Sequence, residues 1–331
     1  MLDVRRLRLL RELSSRGTIA AVAEALAFTP SAVSQQLSAL EREAGVPLLE
    51  RTGRRVVLTP AARGLVRHAE AVLERLEQAA AELAGARDGL AGPLRIGTFP
   101  SAARVMVPAA LTALAARHPG LEPMVSEIDP ARVGGALRAG DLDVALIHAY
   151  DFVPLPAEPG LATEPLCTES MYLASMERAG GVPGGSGGSS GGAGGVGGTG
   201  GAGGPVDGTA HSARDAVIGL FRDAPWITAS PGTLCRTMTV RACQAAGFTP
   251  RIRHQVDDFA AVLALVAAGQ GVAVVPRLAV VDAVPAVTLT RLPIRRRTMI
   301  AFRAGAGRHP AVTATATAFR DAVPPDLLGG P

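Results

Sequence analysis

Along the first 84 residues apolar positions recur with the period of an α-helix; beyond residue 94 they fall into short runs between breaker residues. Leu7, Leu10 and Leu13 give a first helix one apolar face, and Gly17 ends it. Thr18 suits the cap of a second helix, Ile19 to Leu26, built of small residues that allow close packing. The four-residue turn Ala27-Phe28-Thr29-Pro30 leads to a third helix from Ser31 to about Glu43. Its Val33, Leu37 and Leu40 lie at i, i+4 and i+7 and are predicted to face the core. Residues 48–58 then read as a β-hairpin with Gly53 at the turn. Thr59 is a fit N-cap and Pro60 a fit first residue for a long helix to about Leu83. On it Leu65, Ala69, Val72, Leu76, Ala79 and Leu83 recur at steps of 4 and 3, a heptad seam roughly 35–40 Å long. The seam suits pairing with a second copy or packing on the chain's own C-terminal part, and the following hinge favours pairing.

Residues 85–93 form that hinge, rich in Gly and ending on Pro93. After it, predicted strands Leu94–Thr98, Val144–Ile147, Met171–Ala174 and Val272–Val275 alternate with predicted helices Pro108–Arg117, Thr233–Ala246 and Phe259–Ala268. Such alternation implies an α/β architecture with parallel strands. One stretch breaks the rhythm. Of the 25 residues from Gly180 to Gly204, 16 are Gly, too little apolar area to offset ordering, so a flexible surface insertion is expected.

Composition refines this picture only at a few points. Aromatics are 3% of residues, so the cores must be built of Ala, Val and Leu. The net charge of +4 permits a nucleic-acid partner without requiring one, and every basic side chain other than His is Arg. Cys167, Cys235 and Cys243 show no zinc spacing, and so few cysteines suit a reducing compartment. The opening residues lack an apolar signal core, and no apolar run is long enough to span a membrane. A cytoplasmic location is expected.

The second and third helices have helix-turn-helix spacing, which presents the third to a DNA major groove. Its outer face carries Ser31, Ser34, Gln35, Ser38 and Arg42, with no carboxylate before Glu41. Gln pairs with adenine edges and Ser reaches bases or phosphates, although an ordinary solvated face has the same look. The hairpin adds Arg51, Arg54 and Arg55; from Arg42 to Arg67 six arginines face two glutamates. A basic hairpin behind a recognition helix is a wing for the flanking backbone.

The run Thr29-Pro30-Ser31-Ala32-Val33-Ser34-Gln35-Gln36-Leu37 resembles the recognition helix of LysR-type transcriptional regulators. The likeness continues through Leu40-Glu41, Gly45 to Arg54 and Leu58-Thr59-Pro60-Ala61. It extends more thinly to Leu94-Arg95-Ile96-Gly97, Leu137 to Leu146, Ala245 to Pro250 and Gly269 to Pro276. Leu49 stands where Phe is usual, Ala62 where Gly is common, and the glycine tract is atypical. The resemblance implies an N-terminal all-α winged helix-turn-helix at 1–58 with a long linker helix at 59–84. It implies, after the hinge, a two-lobed α/β effector domain like a periplasmic binding protein. Lobe I would comprise 94–165 and 277–323 and lobe II 166–276, with crossings near 160–166 and Pro276. It also implies a sequence-specific regulator, dimeric or tetrameric on double-stranded DNA, modulated by a small-molecule effector between the lobes.

Ligands of open α/β sheets bind at the carboxyl ends of strands. There the sequence places Thr98 and Ser101 after the first strand, His148 after another, Thr233 in the turn Pro231-Gly232-Thr233, and Asp257 before a helix. Hydroxyls at helix starts suit a carboxylate effector. Ser101, Thr233 and Asp257 equally suit simple helix caps, and His148 a satisfied surface histidine. Cys235 and Cys243 fall on one predicted helix about 12 Å apart, too far for a disulfide unless the helix melts. No nucleophile elbow, zinc-protease motif or phosphate-loop lysine is present, so neither an enzyme, a cofactor nor a metal is expected. An exported solute-binding protein is disfavoured by the DNA-binding N-terminus.

Overall fold

The computed structural model describes residues 1–52, 55–86, 89–153, 158–176, 208–280 and 286–327. By its contacts the chain divides into two units. Unit 1 holds Met1–Ala149, Pro154–Thr168 and Arg297–Pro331; unit 2 holds Tyr150–Val153 and Glu169–Arg296.

Unit 1 begins with α1 (Val4–Arg16), α2 (Ile19–Ala25) and α3 (Pro30–Ala44). The short antiparallel strands β1 (Leu49–Thr52) and β2 (Arg55–Leu58) follow, with Leu49 opposite Leu58, and then α4 (Pro60–Gly85). Each helix start is capped by its own sequence. Asp3, Thr18, Thr29 and Thr59 each accept from an amide of the first turn, satisfying donors that the helix leaves orphaned. The end of α2 is less comfortable. Ala27 adopts φ +54° so that Phe28 N can donate to the Ala23 carbonyl at 2.8 Å. That left-handed position normally takes glycine. Leu10, Leu13, Val22, Val33, Leu37, Leu40, Leu48, Ala62 and Ala69 close one core among these helices. Each buried Leu or Val contributes about 1.5–3 kcal/mol relative to exposure, which fixes the orientation of α3.

The remainder alternates as predicted: β3 (Ala91–Thr98), α5 (Pro100–Val105), α6 (Val107–Arg117), β4 (Gly120–Glu127), α7 (Pro130–Ala139), β5 (Val144–Tyr150), and β6 (Leu161–Met176). Then come α8 (Gly208–Gly219), β7 (Pro225–Thr228), α9 (Leu234–Ala245), β8 (Arg251–Gln255), α10 (Phe259–Ala267), β9 (Ala273–Pro276), β10 (Val287–Arg303) and α11 (Pro310–Asp321). The strand order is β4-β3-β5-β10-β6-β9, with β7 and β8 a separate pair. β3 is parallel to β4 and β5, and β9 is antiparallel to β6.

Two departures from expectation concern β6 and β10, which run 16 and 17 residues and carry residues of both units. Apart from the short segment Tyr150–Val153, the chain passes to unit 2 after Thr168 rather than near 160–166 and returns after Arg296 rather than near Pro276. The reason is that Leu292 and Ile294 on β10 are buried with Trp226, Met238 and Val274 in the core of unit 2. The charged run Arg295-Arg296-Arg297 hides this strand in the sequence. In the fold Leu292, Ile294, Arg296 and Thr298 alternate inward, and Arg296 is 1% exposed. Its guanidinium meets Glu169 at 2.7 Å, and Glu169 also accepts from Leu278 N at 2.6 Å. Burial opposes the charge on Arg296, but Glu169 outweighs it and holds the guanidinium protonated. The glycine tract 180–204 lies outside the described residues.

Candidate nucleic-acid interface and effector groups

The outer face of α3 is open. Ser31, Gln35, Ser38 and Arg42 are exposed and Ser34 is half-buried, while Val33, Leu37 and Leu40 are buried. Thr29 and Pro30 open the helix. Thr29 Oγ1 accepts from Ala32 N at 3.2 Å and lies 3.0 Å from Ser31 Oγ, so these two hydroxyls are oriented together. Gln36, adjacent in sequence, instead accepts from Arg6 Nε at 2.9 Å and tethers α3 to α1. β1 and β2 stand where the wing is predicted, with Thr52 opposite Arg55 and Arg51 opposite Val56. Gly53, Arg54 and the side chains of Arg51 and Arg55 lie outside the described residues.

One residue of this interface escaped the sequence pattern. Glu41 Oε1 accepts from Leu48 N and Leu49 N at 2.9 and 3.0 Å, pinning the start of the wing to the end of α3. Thr59 Oγ1, besides capping α4, donates to the Pro47 carbonyl at 3.0 Å. A carboxylate near a DNA-facing helix is unfavourable only if it points at phosphate; this one is occupied by the protein's own amides. Its partners lie seven and eight residues ahead across a turn, a separation no helical period marks.

α4 divides its predicted seam. Leu65 and Ala69 join the N-terminal core, whereas Val72, Leu76 and Leu83 are 39, 49 and 71% exposed. Elsewhere on α4, Ala81 is buried, and a Cβ on Gly305 would lie 2.4 Å from the Glu74 carbonyl, so α4 is closely seated within unit 1.

The predicted effector groups sort by unit. In unit 1 Thr98, Ser101 and His148 are all buried near the carboxyl ends of β3 and β5, and the His148 ring meets Phe99 edge-on at 4.8 Å. Ser101 lies within α5, whose N-cap is Phe99. In unit 2 Thr233 caps α9, accepting from Arg236 N and donating to the Ser230 carbonyl at 2.8 Å. Asp257 does not cap α10; Asp258 does. Asp257 instead accepts from Ser230 N and Oγ at 2.8 and 2.7 Å. Ser230, which sequence reading passed over, thus joins Thr233 and Asp257 into one loop assembly.

Cys235 and Cys243 both lie on the intact α9. Cys243 is fully buried, which pushes its thiol up to about 12. Cys235 Sγ is half-buried and stands 3.2 Å from Tyr150 Oη, a phenol that burial holds well above its ordinary range. Among the described residues no group of His, Cys, Asp and Glu could hold a metal ion, and no helix is long and apolar enough to cross a membrane.

A winged helix-turn-helix with an exposed polar recognition face, a long helix and an α/β effector part define a DNA-binding regulator. Residues 4–63 match the bacterial regulatory helix-turn-helix protein, lysR family, and residues 87–178 and 210–324 match the LysR substrate binding domain. The chain belongs to the LysR family of transcriptional regulators, whose members act on DNA rather than as enzymes. It is 42% identical over 169 residues to a probable hydrogen peroxide-inducible genes activator of Mycobacterium xenopi, covering 51% of this chain and 86% of that protein. It is 30% identical to the regulator TfdS of Cupriavidus pinatubonensis over 83% of this chain and 82% of that one. Its fold is similar to full-length OxyR of Pseudomonas aeruginosa, with TM-score 0.53 and 23% identity, covering 97% of this chain and 98% of that chain.

Proposed function

We propose that this regulator reads double-stranded DNA through Thr29, Pro30, Ser31, Ser34, Gln35 and Ser38 on α3 and through Arg51, Arg54 and Arg55 on the wing. The observation that carries the reading is the exposed, carboxylate-free stretch of α3 opposite its buried apolar face. The exposed stripe Val72, Leu76 and Leu83 is the dimer seam, which sets two recognition helices against a two-fold symmetric operator, with tetramers built from such dimers. A small-molecule effector, a carboxylate by the chemistry of the hydroxyls, acts through Thr98, Ser101 and His148 in unit 1 and through Thr233 and Asp257 in unit 2. The protein works in the cytoplasm.

The test is an anisotropy titration of the purified chain on DNA upstream of its own gene, with random DNA as control. Arg55→Ala should weaken binding to both DNAs and flatten the salt slope by about 1 for each phosphate that is no longer neutralised. Gln35→Ala should change the preference between the two DNAs by about 1–3 kcal/mol. Equal affinity for both DNAs in every variant, and on genome-wide selected fragments, overturns the reading.

A second reading of the input rests on Cys235. Its half-buried thiol beside Tyr150 and the naming of relatives as hydrogen peroxide-inducible activators support oxidation as the signal. The thiol gives up its proton, the thiolate sulfur attacks a peroxide oxygen, the O–O bond breaks, and sulfenic acid and hydroxide result, the hydroxide taking up the released proton as water. The intact α9 argues against a bridge to Cys243. Peroxide that adds one oxygen at Cys235 by mass and alters DNA affinity, both lost in Cys235→Ser, would favour this input; affinity unchanged by peroxide would leave the small-molecule effector.

A further inference from the structure

Where α1, α4 and α7 meet inside unit 1, a cavity of about 260 Å³ is lined by Arg8, Arg11, Glu70, Glu77, Arg138 and Arg303, among others. Its charges are unevenly satisfied. The Arg11 side chain is 9% exposed, yet among the described residues only its Nη2 is bonded, to Glu12 at 2.7 Å. Its Nε is buried with no partner, and its Nη1 stands toward Gly160, where even an added Cβ would remain 3.6 Å away. Glu12 cannot neutralise Arg11 alone. Fully buried, it is shared with Arg16 Nε at 2.9 Å and Arg138 Nε at 3.8 Å. Arg8 has no carboxylate partner among the described residues. Its Nη2 donates to the carbonyls of Arg138 and Ala139 at 2.8 and 2.9 Å, the negative end of α7.

The acidic wall, Glu70, Glu74 and Glu77, makes no hydrogen bond to Arg8 or Arg11 among the described residues. Glu77 is held by Arg303 at 2.9 Å. Burial pushes the carboxyl of Glu70 up, against the opposing pull of Arg11 and Arg138. Burial also lowers Arg11, and the neighbouring cations Arg8 and Arg138 work in the same direction against the pull of Glu12. A buried guanidinium with most donors unused, at the wall of a cavity and among other cations, calls for an acceptor there.

We propose that this cavity is a site for a small oxyanion, a carboxylate or phosphate, held by Arg11 and Arg8. The site rests on the geometry of unit 1 and not on the reading of the DNA interface or of the effector groups. It touches α1 of the DNA-binding helices and α7 of the α/β part at once, so occupancy adds bonds across the junction between them.

Calorimetric titration of the full chain with sodium phosphate and, separately, sodium acetate at constant ionic strength in chloride tests this. Saturable binding of at least one is expected, weakened at least tenfold in Arg11→Gln and in Arg8→Gln and unchanged in Arg132→Gln, an exposed site elsewhere on α7. Whichever salt binds identifies the oxyanion. Arg8→Gln leaves the Glu12 pairs in place and decides the matter where Arg11→Gln fails to fold. No saturable heat with either salt, or equal affinity in all variants, means that water alone fills the cavity and overturns the proposal.

Discussion

Helix α3 and the long strand β10 use arginine in opposite ways. On α3 the polar side chains, exposed Arg42 among them, sit opposite an apolar face, and the caps Thr18, Thr29 and Thr59 act on amides within three residues of themselves. On β10 the pattern is inverted: Arg296 occupies an inward position between Ile294 and Thr298, and its partner Glu169 is 127 residues away. The first region is held by local signals and one apolar core. The second depends on a pair whose members mean nothing alone, because a buried charge without its partner costs far more than an exposed one.

The sharpest break of that comparison is Glu169→Ala. It removes the carboxylate that Arg296 meets at 2.7 Å in a buried site and should cost about 3–5 kcal/mol in urea unfolding, whereas Gln35→Ala on the open face of α3 should stay within about 0.5 kcal/mol. Replacing both partners, Glu169→Leu with Arg296→Met, should recover most of the loss. A single-variant loss below about 1 kcal/mol would sink the claim that the pair governs unit 2.

A smaller effect should come from a turn in the N-terminal helices whose residue does not suit its backbone. Ala27 holds a left-handed backbone, so Ala27→Gly should stabilise the N-terminal helices by about 0.5–1 kcal/mol despite the freedom glycine adds to the unfolded chain. Thermal melts of the two proteins decide it; a lower melting temperature for the glycine variant would show that strain at this turn is absent.

The smallest effect concerns pH. His309 caps α11 through Nδ1, which accepts from Ala311 N at 3.2 Å and must therefore be unprotonated. Burial lowers its pKa from the usual value near 6.5, ahead of the opposing pulls of Asp143 and Glu77 and the push of Arg303. The neutral form is favoured in the fold, so this stability is present above about pH 6.5 and is lost as pH falls through the lower folded value. His309→Asn, which caps without titrating, should flatten the melting curve's pH dependence between about pH 7.5 and 5. An identical slope in both proteins would assign the dependence to other groups.

How much was legible follows the same division. The winged helix-turn-helix, the cap residues and the polar face of α3 could be read because their determinants lie within a few residues of one another. Glu41 could not, since its amide partners lie across a turn and a carboxylate there reads as a repulsive charge. Asp257 stands beside the helix the sequence assigns it but serves a different neighbour: Asp258 caps α10, while Asp257 organises Ser230. Two adjacent carboxylates at a helix start look alike until the chain path turns one of them toward a distant loop. The strand through Arg295-Arg296-Arg297 went unseen because alternation is judged by polarity, and the buried arginine breaks it.

Sequence alone determined the helix boundaries of the DNA-binding part, the α/β alternation after the hinge, and the family. These follow from period, caps and breakers, interactions that the chain makes with itself at short range. Only the tertiary structure decided where the chain passes between its two units, which part of the α4 stripe stays exposed, and which charges share the cavity at α1, α4 and α7. Those depend on which surfaces meet after collapse: burial multiplies the strength of a charge, and a residue's partner is then set by the fold rather than by its place in the chain.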